Sequence, residues 1–303
     1  MINDSSNEHW INTKNYQSFE LRAHRFRDNM LSALYEWLGI HGDSNILDGG
    51  CGSGVFTRFL GKGLTTGHIT GFDINETFIN FGKEKIKELG LKEKVTLELA
   101  DGYRLHYPDN HFDAVTNYTY IGVLSDKKAG IEELIRVCKK GGTISCVIAT
   151  NSITRMSYQG IYPFGGAETL QALAEKEWNI FSRIQKEREA GQLSELALFK
   201  ACGLREIHLY PFSHLICYSD TNFAVEYRKK LALEETAEEI SWLKNRYSSN
   251  EKAYMEQGFS SENFHALTGL LEKKLSYLTE NFETDESYEW HGGFNFIVTG
   301  KKP

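Results

Sequence analysis

Short β-like segments alternate with amphipathic helical segments between residues 45 and 149, and this alternation restricts the fold more than any other feature of the chain. The β-like segments are 45–48, 68–74, 95–100, 112–117 and 143–149. The helical patterns between them are 55–60, 76–89 and 127–138. Such alternation is typical of right-handed βαβ units, which build a parallel sheet with helices on both faces. The sequence therefore predicts a doubly wound α/β core.

The segments on either side of this core are mostly helical by pattern. Before the core, apolar residues recur at helical spacing, namely Leu21, Phe26, Met30, Leu34 and Leu38. After it, helices are predicted at 167–190, 194–202 and over most of 221–282, where Ser260 or Ser261 suits an N-cap. Two further strands are predicted at 206–209 and 294–299.

These patterns predict a single domain over residues 1–303. Its parts are an N-terminal helical segment (1–42), a ligand-binding core (43–150), two helical insertions (151–192 and 221–285) and the remaining core strands (193–220 and 286–303).

The composition narrows the choice of partner and compartment. Lys and Arg number 34 and Asp and Glu 41, so the formal net charge is −7, which counts against a nucleic-acid backbone as the main partner. No segment approaches the roughly 18 consecutive apolar residues that span a membrane, and the N-terminus lacks the pattern of a secretory signal. The five cysteines are an odd number without a C-x-x-C pair. We therefore predict a cytoplasmic protein with no metal site and no disulfide framework.

The sharpest local signal is the glycine-rich segment Asp48–Gly54, which follows a predicted strand and opens a predicted helix. Glycines there let the backbone turn tightly and approach a ligand, and such loops lie where open α/β sheets bind nucleotides. The spacing is G-x-G-x-G at Gly50, Gly52 and Gly54, and no G-K-[ST] follows, so a P-loop is unsupported. The alternative is a glycine-rich turn that binds nothing.

Acidic residues at the next two strand ends make that alternative weaker. Asp73 ends the second strand, where a carboxylate can bind a pair of ribose hydroxyls. Asp101 closes the third strand, where it can accept a hydrogen bond from an adenine amino group. By itself, Asp73 is compatible with an ordinary exposed acid at a strand end. Together with the glycine loop, the two acids predict an adenosine-containing ligand.

Several motifs then resemble one family. The segments ILDGGCGSG, GFDIN, LADG, FDAV and KKGGTI look like those of the class I S-adenosylmethionine-dependent methyltransferases, in particular the small-molecule branch that includes the ubiquinone and menaquinone methyltransferases. Residues 105–113, 132–137 and 198–204 resemble further stretches of that branch. The resemblance is strong over 45–150 and absent over 221–285.

The resemblance implies a Rossmann-like, doubly wound, mostly parallel seven-stranded sheet, with S-adenosylmethionine as cofactor and S-adenosylhomocysteine as product. The implied cofactor-binding residues are Asp48, Gly50, Cys51, Gly52, Gly54, Asp73, Ile74, Asp101, Gly102 and Asn117. In this assignment Asp48 faces the amino group of the ligand and the loop residues approach its methionine part, as does Asn117. Asp73 binds the ribose, while Ile74 and the third strand end meet the adenine.

The chain departs from the family pattern at three positions. Gly49 stands where an apolar residue is usual, and His106 and Lys140 stand where prolines are usual. None of these positions is among the implied cofactor-binding residues, so the cofactor assignment is unaffected.

The acceptor is less constrained by the sequence. A sulfonium methyl group is already activated, so its in-line transfer to a small molecule depends on positioning and on exclusion of water. The predicted acceptor-side residues are Tyr16, Tyr118, Tyr120, Tyr158 and Tyr162, although packing in the core is an equal alternative for each. Three histidines, His24, His106 and His214, lie near predicted sheet ends or insertions, but an ordinary surface role is favoured for each and no catalytic base is assigned.

We predict that the two helical insertions form a cap on the acceptor side, because the first leaves the core at the sheet edge that carries the glycine loop. A dimer interface is the alternative, so both a monomer and a homodimer stay open.

Two other classes of function stay open as well. An NAD-dependent oxidoreductase uses the same sheet, but its loop reads G-x-G-x-x-G. A non-catalytic S-adenosylmethionine-binding partner protein keeps the cofactor residues and lacks an acceptor pocket. A nucleic-acid methyltransferase is disfavoured by the net charge and because residues 117–120 are not the N-P-P-Y motif of nitrogen acceptors.

Overall fold

A computed structural model describes residues 20, 23, 26–149, 155–158, 167–188, 194–221, 223–284 and 289–303. The chain divides into two compact units. The first takes its residues from 1–149, 193–212 and 295–303, and the second from 150–192 and 213–294. None of the described helices combines the length and the apolarity that a membrane crossing requires.

Seven strands contribute to the sheet of the first unit. They are β1 (Asn45–Gly49), β2 (His68–Asp73), β3 (Val95–Leu99), β4 (Phe112–Asn117), β5 (Cys138–Ala149), β7 (Arg205–Cys217) and β8 (Trp290–Lys301). The order is β3-β2-β1-β4-β5-β8, with β7 beside β8, and an eighth strand, β6 (Arg155–Tyr158), pairs with the first residues of β8. Strands β1 to β5 pair in parallel, and β8 runs antiparallel to β5. This confirms the predicted mostly parallel, Rossmann-like sheet.

Helices cover both faces of this sheet, as the alternation of the sequence predicts. They are α1 (Leu31–Leu38), α2 (Val55–Gly61), α3 (Glu76–Glu88), α4 (Lys127–Val137) and α6 (Glu195–Ala201). Adjacent strand residues point to opposite faces. Ile46 of β1 accordingly packs in one buried cluster with Phe56 and Ile79, whereas Leu47 packs in the other with Leu134 and Phe199.

The N-terminal segment differs from its prediction. The apolar spacing predicts one helix through residues 21–38, but Arg27 is extended (φ −93°, ψ 141°) and α1 begins only at Leu31, after a 3₁₀ turn. Phe26 packs instead against the rings of Phe56 and Phe59, with centroids 5.2 Å away in each case. Burial of this aromatic ring outweighs helical continuity.

The last parallel strand also begins earlier than predicted. The Lys-Lys-Gly-Gly segment 139–142 reads as a turn before a strand at 143–149, whereas β5 already begins at Cys138. Gly141 donates to the carbonyl of Lys302 at 2.8 Å, and Lys302 donates to that of Gly142 at 3.0 Å. The C-terminus, which is distant in sequence, therefore provides the pairing that keeps this segment extended. The local sequence pattern does not predict this pairing.

The second unit is mostly helical. It contains α5 (Ala167–Arg188), α7 (Val225–Glu256) and α8 (Ser261–Asn281), together with β6 (Arg155–Tyr158), a strand that the sequence pattern did not predict. Ser260 is the N-cap of α8 and forms a capping box with Asn263, as its position suggests. The buried core of the second unit contains residues of all three helices, among them Ile180, Leu243 and Leu271.

Candidate active site

The glycine loop lies between β1 and α2, at the carboxyl end of the sheet. Gly50, Gly52 and Gly54 all have left-handed backbone angles, with φ of 60°, 56° and 78°. A Cβ on Gly50 would overlap the ring of Tyr120, and one on Gly54 would lie 2.8 Å from Leu97 Cδ1. The first and last glycines are thus required by packing as well as by conformation.

Asp73 connects this loop to the end of β2. Its Oδ2 accepts a hydrogen bond from the backbone of Gly52 at 2.8 Å, and its Oδ1 accepts one from the backbone of Asn75 at 2.9 Å. The Asn75 side chain in turn caps α3 by accepting from Phe78 N at 3.1 Å. Burial raises the pKa of Asp73, although backbone hydrogen bonds from Asn75, Gly52 and Ile74 oppose this shift. The carboxylate is therefore fixed in orientation, and each oxygen keeps a further lone pair for a ligand.

Asp48 at the end of β1 is more deeply buried, with 1% of its surface exposed. Its Oδ2 accepts a hydrogen bond from Thr57 Oγ1 at 2.6 Å, while its Oδ1 has no hydrogen-bond partner among the described residues. Burial raises the pKa of Asp48 to about 7, and the nearby charge of Asp73 adds to the shift. An unpaired acceptor in this position is costly unless a donor supplies what the chain does not.

Two more unpartnered polar atoms lie on the adjacent strand. Asp48 pairs in register with Thr116 of β4, and Gly49 pairs with Asn117. Thr116 Oγ1 and Asn117 Oδ1 are both buried without a hydrogen-bond partner in the described ranges. Asn117 donates through Nδ2 to the carbonyl of Ser145 at 2.9 Å, which fixes its side chain behind the loop.

A cavity at this edge brings most of the predicted site residues together. Those that line it are Asp48, Gly50, Cys51, Gly52, Asp73, Ile74, Asp101, Gly102, Tyr118 and Tyr120. Gly54 and Asn117 are not among the lining residues. Tyr158 lies in β6, its side chain is outside the described part of the chain, and Tyr16 and Tyr162 are outside it altogether.

The cavity also has lining residues that the sequence analysis missed. They are Phe26, Ser53, Val55, Phe56, Phe72, Phe78, Ala100, Tyr103, Thr119, Val123 and Leu124. Most flank a predicted residue by one or two positions, so proximity to the motifs is a signal that could have found them. Phe26 carries no such signal, because it is distant in sequence from every motif.

One wall of the cavity is aromatic. Phe26 meets Tyr118 edge to face at 5.5 Å, and Phe56 meets the same tyrosine at 5.6 Å. On the other side Tyr120 contacts Phe72 edge to face at 5.8 Å, and its ring covers Gly50. Burial raises the pKa of the Tyr120 phenol far above its usual range, so this side chain is neutral. Flat apolar faces of this kind suit a planar ligand and a sulfonium cation.

The third strand end adds an exposed carboxylate. Asp101 Oδ1 accepts a hydrogen bond from Tyr103 N at 3.0 Å, which shapes the turn after β3. The adjacent Gly102 contacts the Tyr120 hydroxyl so closely that a Cβ would overlap it. The acids predicted at three strand ends thus line a single cavity.

Among the described residues that line this cavity, none is a histidine. Of the three histidines that the sequence singled out, His106 is exposed and its ring lies tilted against that of Tyr107, with centroids 4.1 Å apart, while the side chains of His24 and His214 fall outside what the structure describes. Burial raises the pKa of the Cys51 thiol well above its usual range, so Cys51 is a neutral wall residue. The described residues of the site provide binding, orientation and exclusion of water.

The residues present fit an adenosyl amino acid. Asp48 Oδ1 is a buried acceptor in need of a donor, which the α-ammonium group of S-adenosylmethionine would supply. Asp73 is oriented to accept from ribose hydroxyls, and the glycine loop admits the close approach of the methionine part. No residue of the lining contradicts this fit.

Comparison with known proteins agrees with this geometry. Residues 46–142 match the family model described as a methyltransferase domain. The demethylmenaquinone methyltransferase of Anoxybacillus flavithermus is 27% identical over 186 residues, which are 58% of this chain and 76% of that protein. That of Bacteroides fragilis is 36% identical over 106 residues, which are 35% of this chain and 43% of that protein. The chain thus spans about three quarters of the first relative and about two fifths of the second.

Among solved structures, phosphoethanolamine N-methyltransferase 2 of Haemonchus contortus in complex with S-adenosyl-L-methionine is 16% identical, with a TM-score of 0.47. The match covers 99% of this chain and 60% of that one. A likeness at this level carries no argument about function. The matched family model does: residues 46–142 form a methyltransferase domain, which is similar to that of the demethylmenaquinone methyltransferases and whose loop and oriented carboxylates suit S-adenosylmethionine as cofactor.

Proposed function

We propose that the protein transfers the methyl group of S-adenosylmethionine to a small-molecule acceptor by in-line displacement. The observation that carries this proposal is the convergence of Asp48, Asp73 and Asp101 with the glycine loop on a single cavity. These residues match the ammonium, ribose and adenine parts of the cofactor in the order in which the strands present them.

The residues of the cavity act by holding and orienting. When bound, the cofactor supplies a methyl group that its sulfonium already activates. Asp48 would accept from the ammonium group through Oδ1, which no described residue satisfies, and Asp73 would accept from the ribose while Gly52 and Asn75 hold its carboxylate in place. The aromatic wall around Tyr118 excludes water, which strengthens both charged interactions.

We propose an electron-rich aromatic ring, such as that of a reduced quinone, as the acceptor class to test first. The similar proteins from Anoxybacillus flavithermus and Bacteroides fragilis are named for demethylmenaquinone. The cavity wall formed by Phe26, Phe56 and Tyr118 offers a flat apolar face to such a ring. A ring carbon activated by its own hydroxyl groups also suits the described part of the lining, in which no histidine occurs.

The experiment is transfer of a labelled methyl group. The purified protein is incubated with tritiated-methyl S-adenosylmethionine and a panel of reduced quinones, phenols and amines, with the Asp73→Ala variant as control. Label in an aromatic product, lost in the variant, supports the proposal. Binding of S-adenosylhomocysteine without transfer to any acceptor would instead support the non-catalytic binding protein. Tighter binding of NAD than of S-adenosylhomocysteine would support the oxidoreductase.

We further propose that the helical insertions 151–192 and 221–285 cap the acceptor side, because the first insertion follows the strand end at the sheet edge that carries the glycine loop. Deletion of 221–285 with a short closing loop tests it. If the insertions form a cap, the shortened chain should still bind S-adenosylhomocysteine but lose turnover. The full chain should be monomeric by light scattering. Turnover at the wild-type rate in the shortened chain would refute it.

We propose a cytoplasmic location because the cysteines of the chain are free thiols. Cys51, Cys138, Cys146, Cys202 and Cys217 are all free thiols. Free thiols throughout a chain are typical of a reducing compartment. Fractionation of the native host, with an antibody against the protein, tests the location.

A further inference from the structure

A carboxylate outside the sequence motifs contacts the glycine loop. Glu20 lies 33 residues before Ser53, yet its Oε1 accepts a hydrogen bond from Ser53 Oγ at 2.6 Å. Arg58 Nη2 donates to both oxygens of the same carboxylate, at 2.9 Å to Oε1 and 2.7 Å to Oε2. One side chain thus bonds at once to the loop and to the helix α2 that follows it.

These three residues form a closed network. Arg58 Nη1 also donates to the backbone carbonyl of Ser53 at 3.2 Å, so Ser53 is held both through its hydroxyl and through its backbone. Arg58 is 6% exposed and Ser53 is 1% exposed. A guanidinium buried to this extent requires a counter-charge, and Glu20 provides it.

The network acts on the part of the loop that the cofactor approaches. Ser53 lies between two left-handed glycines and lines the cavity. On one side of it, Asp73 holds Gly52 through a backbone hydrogen bond at 2.8 Å. Glu20 holds the next residue along the chain. The two carboxylates therefore fix consecutive residues of a loop whose glycines otherwise allow many conformations.

Phe26 joins the same N-terminal segment to the cavity wall. Its ring packs on Phe56 and Phe59 of α2 and contacts Tyr118. The N-terminal segment thus contributes both a wall residue and a carboxylate that holds the loop. The aromatic contacts of Phe26 suffice to attach this segment to the core, so the Glu20 carboxylate is not needed for attachment alone.

We propose that Glu20 is a positioning residue for the cofactor: through Ser53 and Arg58 it holds the glycine loop in the conformation that binds S-adenosylmethionine. This inference rests on the proposed function for the identity of the ligand. Because Glu20 acts on binding rather than on the reacting atoms, its loss should raise the KM for S-adenosylmethionine and leave kcat within about twofold.

The test is Glu20→Gln, which keeps the size of the side chain and removes its charge. We expect S-adenosylhomocysteine to bind about tenfold more weakly by isothermal titration, and the KM for S-adenosylmethionine to rise by a similar factor. Ser53→Ala, a milder change that removes only the hydroxyl, should reproduce part of the loss. The effects of the two substitutions should not fully multiply in the double variant, since Glu20→Gln weakens the contact that Ser53→Ala removes.

The matched control is Asp28→Asn. Asp28 pairs with Lys62 at 3.0 Å, so it also links the N-terminal segment to the end of α2, but both side chains are exposed (80% and 49%) and neither contacts the loop. Its loss should change neither the affinity nor the KM.

Two outcomes would overturn the inference. One is a Glu20→Gln variant with lowered thermal stability but unchanged affinity and KM, which would make Glu20 merely structural. The other is full multiplication of the Glu20→Gln and Ser53→Ala effects, which would show that Glu20 does not act through Ser53. A wild-type protein that fails to bind S-adenosylhomocysteine would overturn the proposed function and this inference together.

Discussion

Asp48 and Asp73 end adjacent strands, but they meet the cavity in different ways. Both oxygens of Asp73 already accept backbone hydrogen bonds, whereas one oxygen of Asp48 has no partner in the part of the chain that the structure describes. The motifs predicted that both residues face the ligand. They could not predict the free oxygen of Asp48, because this depends on Thr57 satisfying the other one and on burial by distant residues.

Asp73→Ala should weaken binding of S-adenosylhomocysteine by about 1.5–3 kcal/mol, the range for hydrogen bonds to a charged group. The variant loses the acceptor for the ribose and the contact that holds Gly52. Isothermal titration measures the change. Asp113→Asn is the control, because Asp113 also accepts from a backbone donor, Asn45 N at 2.8 Å, but at the opposite end of the sheet. Equal affinity in Asp73→Ala and the wild type would contradict the assignment.

The affinity for S-adenosylhomocysteine should rise with pH through about 7, as Asp48 ionises and can pair with the ammonium group. In the ligand-free protein the pKa of Asp48 is raised from 3.8 to about 7, so between these values the unfolded chain has released a proton that the folded chain keeps. Stability attributable to this group therefore falls as the pH rises across that window.

Asp48→Asn should remove both pH dependences. The ligand-free variant should melt above the wild type at pH 8, and the difference should shrink toward pH 4, which calorimetry measures. Its affinity should be low and nearly independent of pH. An affinity that rises through pH 7 in the variant as in the wild type would assign the titration to another group.

The strands and helices around the loop follow the sequence closely, because their patterns are local. β4 was predicted at its observed bounds, and α3 and α4 differ from prediction by one residue at their ends. The elements that the sequence misjudged depend on distant partners. β8 begins at Trp290 rather than 294 because residues 290–293 pair with β6, a strand that no pattern revealed.

Gly50→Ala should disable the loop. A Cβ would be strained at φ 60° and would overlap the Tyr120 ring, so the loop or the tyrosine must shift. We expect a loss of about 1–2 kcal/mol in stability from the strained backbone alone, together with a loss of S-adenosylhomocysteine binding that titration can follow.

Gly141→Ala is the control for backbone strain. Gly141 has φ 74°, but a Cβ there meets nothing within 4 Å, and the residue lies in β5 beside the C-terminus. It should lose a similar amount of stability while its affinity stays unchanged. If both variants keep wild-type affinity, the loop does not form the cofactor site.

The two units of the chain are each stabilised by their own core. In the second, Glu177 joins helices far apart in sequence: it pairs with Arg246 at 3.0 Å and accepts from the Tyr254 hydroxyl at 2.5 Å. Its side chain is 4% exposed. The described residues that line the cavity, in contrast, all fall between 26 and 124, in the first unit.

Glu177→Ala should therefore separate stability from cofactor binding. It leaves the Arg246 guanidinium buried without a counter-charge, which costs about 3–5 kcal/mol. Calorimetry should record the loss, while the affinity for S-adenosylhomocysteine stays within about twofold. Glu272→Ala, which breaks the exposed pair with Lys244, should change neither quantity. A large loss of affinity in Glu177→Ala would contradict a cofactor site confined to the first unit.

The most direct measurement is a crystal structure of the chain with S-adenosylhomocysteine. We predict that the ligand occupies the cavity, with its amino group within hydrogen-bonding distance of Asp48 Oδ1, its ribose hydroxyls on the Asp73 carboxylate and its adenine beside Asp101 and Ile74. Ligand density elsewhere in the protein, or a ribose that Asp73 does not contact, would contradict the account.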